Sequence, residues 1–289
     1  MTTRIRTWVL LAGLSALFVG LGALVGGATG VLVFAGIAVL FNFLMFWFSD
    51  RLALKASRAR PLEEGEAPEL HAMARELAER AGVPVPRLYS IPSEQPNAFA
   101  TGRSPKHAAV AVTEGLVTLM PRDEVRAVLA HEFAHIRNRD ILVTTIAAMI
   151  GAAIAAIANF LQFSFLFGGG DDDDSPLGFV GALAAILIAP LAAMLIQLAV
   201  SRQREYLADA TAAEMLGEGR PLASALESLK RGVQALPMQH VNPATEALYI
   251  ANPLSGGGVT ALFSTHPPLD ERIRKLREWD ARRGIHYGY

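Results

Sequence analysis

Between Trp8 and Phe48 the chain carries no acidic or basic side chain. One membrane span takes about 20 apolar residues. The run is too long for one span and right for two, and Gly26-Gly27-Ala28-Thr29-Gly30 is the natural turn between them. A secretory leader shares the basic start at Arg4 and Arg6, but a second apolar run follows immediately, which favours a retained hairpin. Ile141 to Phe167 and Leu177 to Val200 are charge-free as well, with Pro190 as an expected kink. They are separated by Gly168-Gly169-Gly170 and by Asp171-Asp172-Asp173-Asp174, read as a solvated acidic turn. These runs form a second hairpin; burial of the pair inside a soluble domain is the weaker alternative. Arg4 and Arg6, Arg51 and Lys55, Arg137 and Arg139, and Arg202 and Arg204 flank the four open ends. The positive-inside rule therefore puts those ends in the cytoplasm and the four aspartates across the bilayer.

The apolar runs divide the 289 residues into 1–50, a membrane hairpin; 51–140, a soluble part; 141–200, a second hairpin; and 201–289, a second soluble part. A hydrophobic share of 52% agrees with a lipid bilayer as partner, and a net charge of −1 offers nucleic acid no electrostatic attraction. In the first soluble part, Leu70, Met73, Ala74, Leu77 and Ala78 keep a helical period that ends at Gly82. Val85 to Ile91 and Ala108 to Val112 read as strands. Ser93 to Gly102, containing Asn97-Ala98-Phe99-Ala100-Thr101-Gly102, reads as a loop between them, in which Phe99 is a packing residue or a substrate contact. Thr113 to Leu116 opens a short helix. Two or three strands feeding helices make a small α+β unit, whose strands could take an extended peptide at an edge.

The chemistry is concentrated in His131-Glu132-Phe133-Ala134-His135. Pro121 to Asn138 is expected to be helical: Pro121 suits the first turn, Asp123 and Glu124 lie where the helix dipole favours anions, and Met120 is a poor N-cap. Two histidines four residues apart share a helix face and can hold one metal ion, and the adjacent carboxylate can serve as general base. With no cysteine in the chain, a zinc ion must use histidine and carboxylate. Three protein ligands and a water make a catalytic zinc site, so a third ligand is required. Glu205 and Asp209 share one helix face in Ser201 to Ala210. The His131 helix runs into the second hairpin and this helix runs out of it, so the hairpin returns Glu205 to the histidines. Glu205 is the expected third ligand. Asp209 is expected to accept a hydrogen bond from a ligand imidazole, with exchange of the two roles as the alternative. The resulting fold class is an α-rich membrane protein, two transmembrane helical hairpins with a small α+β cytoplasmic zincin-like protease domain. Beyond it, Pro221 to Leu236 is an amphipathic helix, Gln239 to Gly258 a loop, and Ser264 to Ile273 the start of a last helix. There His266 is a structural residue or an oxyanion donor.

Four blocks in this order resemble the membrane-bound HtpX-type heat-shock metalloproteases: NAFATG from Asn97, HEFAHIRNRD from His131, SRQREYLAD from Ser201 and STHPPLDERI from Ser264. CAAX prenyl proteases share similar zinc blocks but have more spans. The resemblance implies one zinc ion per chain on His131, His135 and Glu205, with Glu132 as base. It also implies quality control of misfolded membrane proteins, in stress, at a bacterial inner membrane. Two other readings compete. An intramembrane protease is disfavoured because Asp123, Glu124, Arg137 and Arg139 flank the motif. A non-catalytic, zinc-stabilised membrane adaptor has no use for Glu132.

Overall fold

The computed structural model describes residues 3–148, 150, 202–236, 238, 245, 248–253 and 267–285. Of the expected second hairpin only 141–148 and 150 are described, and they are helical; its remainder with the aspartates, most of the Gln239 to Gly258 loop and His266 lie outside the described residues.

Helix α1, Thr3–Ala56, is broken at Gly26 (φ −140°, ψ 16°) and Gly27 (φ 55°, ψ −136°). The second pair of angles is open to glycine and strained for any other residue. The break turns the arms side by side. Asn42 Nδ2 donates to Ser15 Oγ at 2.7 Å and to the Leu11 carbonyl at 3.3 Å, and the Phe18 and Phe41 rings stand 5.7 Å apart. Gly22 and Gly30 pack so closely that a Cβ on Gly22 would meet the Gly30 carbonyl oxygen. The arm Gly26–Ala56 is 31 residues long with a mean hydropathy of 2.4, long and apolar enough to cross a membrane.

The soluble unit is a four-stranded sheet between two apolar layers. Its strands are β1 (Arg60–Pro61), β2 (Arg87–Ile91), β3 (Ala98–Thr101) and β4 (Ala109–Thr113), in the order β1-β2-β4-β3. β4 runs parallel to β2, with Leu88 opposite Val110, and antiparallel to β3, with Phe99 opposite Ala111. β4 is buried along its whole length, as a continuous apolar strand with both faces covered must be. Leu88, Ala98, Ala100, Val110 and Val112 face one core, built on α2 (Pro68–Ala81) and α4 (Arg122–Asn138). Phe99, Ala109, Ala111 and Ile91 face the other, against Met45, Ala53 and Leu54 of α1. The Phe99 side chain is fully buried there, which stabilises the layer by about 1.5–3 kcal/mol. It is a core residue, on the sheet face away from α4.

Three expectations need correction. Residues 98–101 are a strand, not part of a loop; the run is only four residues long, too short for Phe99 and Thr101 to announce it, and pairing with β4 fixes it. Pro121 stands before α4, not within its first turn: its carbonyl accepts the first helical bond from Val125 N–H at 3.0 Å. Met120 is therefore no N-cap for α4; it closes α3 (Glu114–Leu119), a short helix capped at its start by Thr113 Oγ1, which accepts from Leu116 N–H at 3.1 Å. The unit also holds α5 (Arg202–Leu216), α6 (Arg220–Ala235) and α7 (Leu269–Arg282). α4 packs on α2, α5 and α6, so the His131 helix runs through the centre of this core.

Candidate metal centre

α4 keeps a regular helix through His131 and His135, and the two imidazoles meet with Nε2 atoms 3.1 Å apart. α5 crosses this face and delivers Glu205. Its Oε2 is 3.6 Å from His131 Nε2, and its Oε1 is 3.6 Å from His135 Nε2. Among the described residues this is the one group of three potential ligands, with ligand atoms all within 4.8 Å of one another. A tetrahedral zinc ion about 2.0–2.1 Å from N and O donors holds them about 3.3 Å apart, so the observed separations fit such an ion.

The outer ring nitrogens strengthen the fit. His131 Nδ1 lies 2.9 Å from Asp209 Oδ1, and His135 Nδ1 lies 3.1 Å from both oxygens of Asp140. A carboxylate only accepts, so each Nδ1 carries a proton and each Nε2 points inward, where a bound cation would take its lone pair in place of a proton. Asp209 thus lies against the outer nitrogen of His131, while Glu205 faces both rings.

Asp140 is a residue that helical periodicity could not supply. α4 ends at Arg139, which adopts left-handed angles (φ 60°, ψ 34°) rare outside glycine. That turn brings Asp140 N–H onto the His135 carbonyl at 3.2 Å and folds the Asp140 carboxylate back under the ring. The available signal was an acidic residue just past the helix end, five places after the second histidine.

Arg272 of α7 is the second such residue. It is fully buried, and its Nε and Nη2 donate to Asp209 at 2.9 and 2.7 Å, so the chain of contacts runs Arg272, Asp209, His131. A buried guanidinium demands partners, and α7 meets that demand only because it packs on α5 and α6. The STHPPLDERI block contains Arg272, but nothing local distinguishes it from the other arginines of an amphipathic helix.

The field of this pocket favours positive charge. Burial opposes the imidazolium of His135, yet Asp140 and Glu205 outweigh it and lift the group to about 10. Burial and Arg272 likewise oppose charge on His131, and Asp209 and Glu205 again raise its pKa. A bound cation would answer the same field with both rings neutral. Burial pushes the Glu132 carboxyl above the usual carboxylate range, against the pull of His131 and His135. The Ala100 backbone N–H donates to this carboxylate, which ties it to β3. A carboxyl raised in this way holds a proton more readily than an exposed one, as a group that takes and returns a proton must.

Comparison with known proteins places these features in a wider set. The model of Peptidase family M48 matches residues 64–280. The chain is 51% identical over 274 residues to a Protease HtpX homolog of Pelotomaculum thermopropionicum, covering 94% of this chain and 97% of that protein. It is 48% identical over 281 residues to a Protease HtpX homolog of Pyrococcus furiosus, covering 97% of each. In fold it is similar to the crystal structure of S. mikatae Ste24p, with a TM-score of 0.51 and 23% identity. That likeness covers 90% of this chain but spans only 61% of the Ste24p chain.

Proposed function

We propose a function on the premise that this chain belongs to Peptidase family M48 and, within it, to the HtpX-type proteases: it is a zinc-dependent endopeptidase at the cytoplasmic face of the cell membrane. Its substrates are extended segments of misfolded or damaged membrane proteins. The observation that carries the metal and the chemistry together is the convergence of His131, His135 and Glu205 beside Glu132, with both Nδ1 atoms held by carboxylates. His131, His135 and Glu205 would hold the zinc ion, which when bound supplies a Lewis acid and an acidified water. Glu132 takes the proton from the attacking water and passes it to the departing amine. Asp209 and Asp140 keep the two imidazoles aimed, and Arg272 keeps Asp209 ionised and in place. β3 is an edge strand beside α4, so an extended peptide added to it would lie across the metal group.

Casein hydrolysis by the purified protein tests the reading. It should be abolished by a zinc chelator and restored by zinc. Hydrolysis indifferent to chelation would remove the metal from the mechanism, and zinc-loaded protein that binds casein without cutting it would favour the adaptor.

The cytoplasmic placement rests on the basic residues at the membrane boundaries. The closeness of the soluble unit to the bilayer, on whichever side, rests on how it meets the apolar arm of α1. Arg103 lies over the Trp47 ring at 4.7 Å, and Arg87 pairs with Asp50 at 3.4 Å. Trp47 is part exposed, as an interfacial aromatic should be. Because the chain has no native thiol, single cysteines report topology cleanly. A cysteine replacing the exposed Lys106 should resist an impermeant thiol reagent added to intact cells, and one replacing Asp172 should react. Ready labelling at Lys106 would invert the proposed orientation.

A further inference from the structure

The outer edge of β3 is already occupied. In an antiparallel pair every second residue turns its N–H and C=O away from the partner strand. The Asn97 carbonyl takes Thr113 N–H at 3.0 Å from the β4 side, so Ala98 and Ala100 present theirs outward. The Ala98 carbonyl accepts from Ile250 N–H at 3.0 Å. The next residue is held by the Asn97 side chain: Ala251 N–H donates to Asn97 Oδ1 at 3.3 Å, and Asn97 Nδ2 donates to the Ala251 carbonyl at 2.8 Å. Arg272 Nη1 donates to the Ile250 carbonyl at 2.9 Å, while the same guanidinium holds Asp209. Gln95 Nε2 secures the Pro253 carbonyl at 3.0 Å, and the Tyr249 ring stands edge-on to Phe99 at 5.3 Å. Leu248, Tyr249, Ile250 and Ala251 are all buried.

These are the contacts of a peptide guest. The main-chain groups of Ile250 and Ala251 meet the Ala98 carbonyl and the Asn97 side chain of the edge strand, and the Ile250 carbonyl is captured by a guanidinium that itself stands 3.3 Å from the metal-facing His131. We propose that residues 248–253 are an autoinhibitory strap, bound as a substrate backbone would be, and that an extended substrate must displace them to reach the metal group. This rests on the reading of β3 as the peptide-docking edge. A tethered competitor leaves only a fraction of molecules open, and the apparent affinity for substrate falls by that fraction. Saturating substrate overcomes it, so the strap raises KM and leaves kcat alone.

Two measurements on the full-length, zinc-loaded protein decide the matter. Tyr249→Ala removes the aromatic anchor of the strap and leaves its main chain and the metal group unaltered. It should lower KM for an internally quenched, unstructured peptide about tenfold at unchanged kcat. In a Glu132→Gln background, Ala251→Cys adds one sulfur at a buried position of a chain with no other thiol. Its labelling should accelerate about tenfold or more when the same peptide is added at saturation. An unchanged or raised KM in folded Tyr249→Ala protein overturns the strap. So does a peptide that binds the Glu132→Gln protein, followed by fluorescence anisotropy, without altering labelling. The labelling result decides alone if Tyr249→Ala does not fold. A peptide that neither binds the Glu132→Gln protein nor is cut by the wild type overturns the docking reading itself, and the strap with it.

Discussion

Glu132→Gln is expected to keep its metal and lose peptide hydrolysis. The substitution preserves the size of the side chain and its capacity to accept from Ala100 N–H, and it leaves His131, His135 and Glu205 in place. What disappears is a group able to take a proton from water. General acid–base catalysis contributes about 10²–10⁴-fold, so kcat should fall by that factor, about 3–5 kcal/mol in the barrier. Zinc content measured beside the rate makes the result interpretable. A variant with wild-type zinc and more than about a tenth of wild-type kcat would remove Glu132 from its role.

Glu205→Ala and Asp209→Ala should separate metal binding from stability. Glu205 faces both Nε2 atoms, whereas Asp209 reaches His131 only at Nδ1. Removing Glu205 leaves two imidazoles and should empty the site at micromolar zinc. Removing Asp209 frees His131 to turn and should weaken zinc about 10–100-fold. The structure adds a second effect. Asp209 takes two hydrogen bonds from the fully buried Arg272, and burying that guanidinium without its partner costs about 3–5 kcal/mol. Asp209→Ala should therefore be the less stable of the two, and Asp209→Asn should recover part of the loss. Zinc titration and thermal melts, both in the Glu132→Gln background to prevent self-cleavage, read the two effects separately. A full site in Glu205→Ala with an empty one in Asp209→Ala would exchange the two roles.

The chain's local repeats were enough to locate much of this protein. The helical period of Leu70, Met73, Leu77 and Ala78 marks α2, and its glycine stop is Gly82, which adopts the left-handed angles of a C-cap. The i, i+4 spacing places His131 and His135 on one face, because a helix repeats every 3.6 residues whatever surrounds it. Glu205 could be brought to them by reasoning about chain ends at a membrane surface, without knowing any packing. Charge-free length likewise marked the Gly26–Ala56 arm, since composition alone decides what a bilayer tolerates.

What tertiary structure alone decided is non-local. β3 is a strand because β4 pairs with it; its four residues are too few for Phe99 and Thr101 to mark a strand by themselves. Phe99 lies in the core because strand alternation turns it towards α1, a direction set by register. Asp140 acts on His135 through one left-handed residue, Arg139, whose angles its side chain does not forecast. Arg272 reaches Asp209 across 63 positions of chain, and Ile250 reaches Ala98 across a span more than twice as long. Each of these depends on which surfaces meet once helices and sheet have packed, and that information is carried by many weak contacts at once, with no single residue or spacing to announce it.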